Sequence, residues 1–143
     1  MSRQTSRPPT LRHRTAWRTF FALAGLLSVG GGVAGMLGLV ARPEALGMAP
    51  PLYPFAFELV FLAVLVFGLG YFLLAAAPER NRDIAWLGLT SKLGGLIISL
   101  RALDSGQLPA SSWAQPLVAD LPWAIGFALF LWLTRGDPDE TND

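Results

Sequence analysis

Only eleven charged side chains lie between residues 19 and 134, and four long stretches of that interval are nearly free of them. A helix needs about 20 apolar residues to cross the roughly 30 Å hydrocarbon core of a bilayer. Residues 19–41, 55–77, 84–103 and 117–134 each come near or exceed that length. The first stretch holds no charge and the second holds Glu58 near its start. The third holds Lys92 and Arg101, and the fourth holds Asp120. A soluble domain needs a charged face on nearly every helix, which these stretches lack. The fold expected is an all-α integral membrane four-helix bundle over 19–134. A basic segment, 1–18, precedes it and an acidic tail, 135–143, follows.

Orientation follows from arginine placement in short flanks. Arg3, Arg7, Arg12, Arg14 and Arg18 precede the first span, Arg80 and Arg82 lie between spans two and three, and Arg135 follows the fourth. The other two loops hold Arg42, with Arg101 at a span margin. Both termini are therefore expected on the cytoplasmic side of the inner membrane. A cleaved signal peptide is the alternative for span one. Its long uncharged run and the lack of an A-x-A-like site favour a retained signal anchor.

The loops differ in kind. Pro78 to Asp83 reads as a tight turn joining spans two and three as an antiparallel hairpin. The 42–54 loop, with Pro43, Gly47, Pro50, Pro51 and Pro54, reads as extended and irregular. Residues 104–116 form a second outer loop, with Trp113 at headgroup level.

Span one is rich in glycine. Gly31 and Gly35 form a G-x-x-x-G, which lets helix backbones approach closely in lipid, whether inside one bundle or across a dimer. Span three is two-faced at 100° per residue. Gly88, Ser91, Lys92, Gly95 and Ser99 fall on a small, polar stripe, with Leu89, Leu93, Leu96, Ile97 and Leu100 roughly opposite. Lys92 thus points into the bundle near mid-depth, where an ammonium costs about 2.5–3.5 kcal/mol on insertion scales and needs a counter-charge or water. Taking span four as 117–134 sets Asp120 well above Lys92, level with Glu58 and Arg101. The expected arrangement is Glu58 and Asp120 near Arg101, with Lys92 deeper and water between. Tyr71 adds an ionisable hydroxyl to this candidate ligand- or proton-linked cluster. An ion-pair cluster that only fixes helix register is the competing reading, as is Arg101 as a snorkelling anchor.

Asp120 and Pro122 admit two readings. Asp120 caps a short helix starting at Leu121, or the helix starts after Ser112 and Pro122 kinks it. The kink is favoured, because a helix from Leu121 is too short to span.

Much chemistry is excluded. His13 is the one histidine and there is no cysteine, so zinc, copper, haem and iron–sulfur sites are implausible, and no Ser–His or Cys–His nucleophile can be assembled. No phosphate-binding glycine loop stands outside the spans. A net charge of +1 argues against nucleic acid as a partner. No cofactor is expected. The partners are the lipid bilayer and, in some readings, a second copy or a larger membrane complex.

Tyr53-Pro54, Phe57-Glu58-Leu59, Gly68-Leu69-Gly70-Tyr71, Ala77-Pro78, the Arg80-Asn81-Arg82 turn and Gly88-Leu89-Thr90-Ser91-Lys92-Leu93-Gly94 follow one another in order. In this segment the chain resembles small bacterial four-helix membrane proteins, broadly DoxX-like. The resemblance implies a four-helix bundle in the inner membrane, loose links to quinone or thiol redox systems, and Glu58 and Lys92 as residues to watch. Three functions stay open. One is a non-catalytic accessory or assembly subunit, or a lipophilic-ligand binder of quinone-like kind. Another is a dimeric proton-coupled transporter or channel using Glu58 and Asp120. The last is a subunit of a membrane oxidoreductase.

Overall fold

The computed structural model describes residues 13–38 and 53–135. Among them the chain is all-helical: α1 Arg14–Met36, α2 Pro54–Ala76, α3 Arg82–Asp104, a 3-10 turn Ala110–Trp113, α4 Ala114–Ala119 and α5 Leu121–Leu133. Four stretches are long and apolar enough to cross a membrane: α1, α2, α3, and Ala110–Leu133 taken together. The expected tail and most of the 42–54 loop lie outside the described residues. Pro54 proves to be the first residue of α2, where a missing N–H costs nothing.

Two span boundaries shift from the sequence expectation. Helix α1 begins at Arg14, five residues before the apolar run, and ends through Leu37 and Gly38. The latter sits at φ 67, a left-handed stop that glycine adopts without strain. It starts early because its first turns dock on the α2–α3 connection. The Arg14 guanidinium pairs with Glu79 at 3.1 Å, and Arg18 Nε donates to the Ala75 carbonyl at 3.0 Å. The fourth span begins at Ala110 rather than at residue 117, so part of the expected 104–116 loop is helical.

The α2–α3 connection is the tight turn expected. Ala77 precedes Pro78, which disfavours helical backbone at Ala77, and the Arg80 and Asn81 amides fold back onto the Ala77 carbonyl. The end of the bundle holding this turn, the start of α1 and the end of α5 is called the turn end below. The opposite end is the far end.

The core lies at the turn end. Phe21, Tyr71, Leu74, Phe127 and Phe130 are fully buried. Phe21 and Phe130 meet edge to face at 4.9 Å, Tyr71 and Phe127 lie tilted at 5.1 Å, and Trp17 closes on Phe130 at 5.3 Å. Trp17, partly buried, packs against this cluster. Gly88 admits it. A Cβ there would lie 2.7 Å from the Phe127 ring and 3.0 Å from Tyr71.

Helices α1 and α2 pack most closely, and glycines set the approach, though not quite the pair expected. A Cβ on Gly25 would meet the Gly68 carbonyl at 3.0 Å, and one on Gly32 would meet Leu65 and the Phe61 carbonyl at 2.8 Å. Gly35 seats against the Phe61 ring, as anticipated, while Gly31 has nothing within 4 Å of a Cβ. One residue is about 100° of helix turn, which carries Gly31 off the face that Gly25 and Gly32 share.

Candidate ion-pair site

Lys92 and Asp120 form the site. Lys92 stands midway along α3, on the stripe that also presents Gly88 and Gly95 to α4 and α5. Its Nζ donates to Asp120 Oδ1 at 2.9 Å. The expectation of water between the two, with Asp120 some 10 Å higher, is overturned by the start of span four. With that span running Ala110–Leu133, Asp120 falls near its middle, at the depth of Lys92.

The helix is interrupted at Asp120. Its backbone sits at φ −117 and ψ −39, between α4 and α5. Both sequence readings hold in part: the helix starts before Asp120, yet the break falls at Asp120 itself. Pro122 has no N–H to give Val118, and this frees a carbonyl. The Asp120 amide still donates to Pro116 at 3.0 Å, and its carbonyl accepts from Ala124 at 2.9 Å. The Asp120 carboxylate makes no capping hydrogen bond to α5. It turns across to Lys92.

Gly95 makes room for this. A Cβ at that position would lie 3.3 Å from Asp120 Oδ2, so a larger residue would press on the carboxylate. About a fifth of each partner remains uncovered, 22% of the Lys92 side chain and 21% of Asp120. Lys92 has three donors and uses one here.

The other expected cluster members go elsewhere. Glu58 is exposed near the start of α2, and Arg101 is exposed in the last turn of α3. Neither is ion-paired among the described residues. Tyr71 is a core residue, 1% exposed, with its ring packed on Phe127. No group of three metal-ligating side chains occurs among the described residues.

Sequence reasoning missed a set of polar contacts at the turn end. Asn81 Nδ2 donates to the Leu73 carbonyl at 2.7 Å, Arg82 Nη2 to Leu131 at 3.1 Å, and Thr134 Oγ1 to Phe130 at 2.8 Å. Arg18 on Ala75 and Arg82 on Leu131 satisfy carbonyls that a helix C-terminus leaves without partners, while Asn81 and Thr134 add a second donor to the Leu73 and Phe130 carbonyls, which already accept the Ala77 and Thr134 amides. Part of the signal was present, since Asn81 and Thr134 each stand just beyond an apolar run.

Fold and site together define an all-helical bundle with four helices long enough to cross a membrane and one ion pair at mid-depth, which points to a multi-pass membrane protein. Comparison with protein-family models, curated proteins and solved structures gave no match.

Proposed function

We propose that this chain is a small multi-pass protein of the bacterial inner membrane, with both termini cytoplasmic. It is non-catalytic and acts as an accessory subunit that holds a lipophilic, quinone-like molecule by its polar head. One observation carries this reading: a mid-depth ion pair with a fifth of each side chain uncovered. Exposed charge is expensive in hydrocarbon, so the pair calls for a polar neighbour. A ligand carbonyl can accept from the free Lys92 donors, while an apolar tail lies among the exposed aliphatic side chains of α2 and α3. The DoxX-like resemblance fits a four-helix bundle of this kind, and a redox-active ligand would make the chain a subunit of a membrane oxidoreductase.

The test is mass spectrometry of whatever co-purifies in lipid, with an absorbance spectrum of the same sample. A quinone-like compound retained by the unaltered protein and lost from Lys92→Met is the expected result. Equal lipophilic content in both proteins would reject the reading. For orientation, a reporter fused after Asp143 should be active in the cytoplasm and silent in the periplasm.

A second reading has its own support. A helix broken at mid-span beside an ionisable group is a common element of transporter sites, and α4–Asp120–α5 has that form. In a dimeric proton-coupled transporter or channel, Asp120 would exchange the proton, with Glu58 at the far end of α2 as the second carboxylate. Proton flux in proteoliposomes that Asp120→Asn abolishes would favour this reading over ligand holding.

A further inference from the structure

The chain has ten arginines and one lysine, and the lysine is Lys92. Among the described residues, five of those arginines gather at the turn end: Arg14, Arg18, Arg80, Arg82 and Arg135. Among the described residues, two carboxylates, Glu79 and Asp83, stand with them. A cationic flank made to orient a chain in a membrane works with lysine or arginine alike. A flank made of arginine alone points to something that distinguishes the two: the planar guanidinium fork, which matches a phosphate in two parallel hydrogen bonds.

The structure presents several of these forks with donors to spare. Arg18 spends its Nε on the Ala75 carbonyl, and the rest of the group makes no ion pair among the described residues. Arg82 donates through Nη2 to Leu131, and its buried Nε has no partner. Arg80 and Arg135 are exposed and unpaired among the described residues. Glu79 neutralises Arg14 alone. Among the described residues, the far end, where Glu58, Arg101 and Asp104 lie, has no comparable excess.

We propose that the turn end is a binding surface for the phosphate headgroups of anionic phospholipid, with Arg18, Arg80 and Arg135 as its forks. Where the helices cross a bilayer, these guanidinium groups lie at headgroup depth, and a phosphodiester with a net negative headgroup is the ligand their charge and donor geometry fit. The inference rests on the membrane reading above but not on any ligand at Lys92.

The experiment follows thermal unfolding of the full chain in neutral detergent, with phosphatidylglycerol or phosphatidylcholine added at equal mole fraction. Phosphatidylglycerol should raise the midpoint by about 3 °C or more beyond phosphatidylcholine. The charge-preserving double change Arg80→Lys with Arg135→Lys touches no hydrogen bond or ion pair of either guanidinium among the described residues and should lose about half of that difference or more. Arg101→Lys, at the far end, should keep it. Equal shifts from the two lipids would overturn the proposal. So would a full shift in the Arg80/Arg135 double variant, an equal loss in Arg101→Lys, or a shift that inorganic phosphate alone reproduces. Retention in carbonate-washed vesicles of either lipid tests the membrane reading separately.

Discussion

At the turn end Phe21, Tyr71, Phe127 and Phe130 are at most 1% exposed, whereas at the far end Phe55, Leu59 and Val60 of α2 and Ile97 and Ile98 of α3 are all more than half exposed. Both regions are apolar, so hydrophobicity does not separate them. In lipid it gives helices little reason to associate, because acyl chains are as apolar as leucine, and shape and polar contacts decide instead. The turn end has both. Wide rings there meet glycines such as Gly88 and Gly126 that admit them, and side chains satisfy the open carbonyls of α2 and α5. Among the described far-end residues, backbones come closest at the seam where Gly32 and Gly35 of α1 receive Phe61 and Leu65 of α2.

The comparison breaks most readily at Phe127. Truncation to alanine empties the space among Phe20, Phe21 and Tyr71 and should cost about 3–5 kcal/mol. Leu59→Ala at the far end should stay within about 0.5 kcal/mol. Unfolding by a denaturing detergent against a mild one measures both, and similar losses would mean that the two ends are equally packed.

The α1–α2 seam gives the next largest effect. Gly32→Leu drives a side chain into Leu65 and the Phe61 backbone and should cost about 2 kcal/mol. Gly31→Leu meets open space and should leave the same unfolding curve unchanged. A costly Gly31→Leu with an unchanged elution volume would mean that the crossing uses the other face.

Between the two ends lies the ion pair. Lys92→Met and Asp120→Asn should each destabilise, because each leaves the other partner partly buried without its counterpart. The double variant should recover about 1–2 kcal/mol relative to the sum of the single losses. Strict additivity would mean that the pair does not act as a unit.

The smallest effects come from the helix ends. Thr134→Val removes the hydroxyl donor to the Phe130 carbonyl, leaving the backbone amide, and should cost about 0.5–1 kcal/mol. Arg101→Gln, on an exposed far-end side chain, should fall within about 0.5 kcal/mol. A larger loss at Arg101 than at Thr134 would place a structural contact at the far end.

Much of the site was half legible. The 100° stripe of α3 identified Lys92, Gly88 and Gly95 as inward-facing, since residue spacing alone fixes which side chains share a helix face. Glu58 and Arg101 were grouped with them because all are ionisable and near the spans. Similar depth says nothing about which way a side chain points on another helix, and both prove to be exposed. Tyr71 looked like a candidate polar group from its hydroxyl, yet its ring fills the core.

What the residues by themselves determined is local: the existence of four apolar helices, the tight turn that opens at Pro78, and the inward face of α3. Each depends on neighbours in sequence, through helical periodicity, the fixed geometry of proline, or the length a bilayer demands. Tertiary structure decided where α1 and span four begin, which glycine of the Gly30–Gly32 run meets α2, and that Lys92 reaches Asp120 directly. These are relations between helices, set by axial offset and rotation. A one-residue change in rotation swings a side chain by about 100°, and a seven-residue change in where a helix starts moves it about 10 Å in depth. Neither quantity is written in any one segment of the chain.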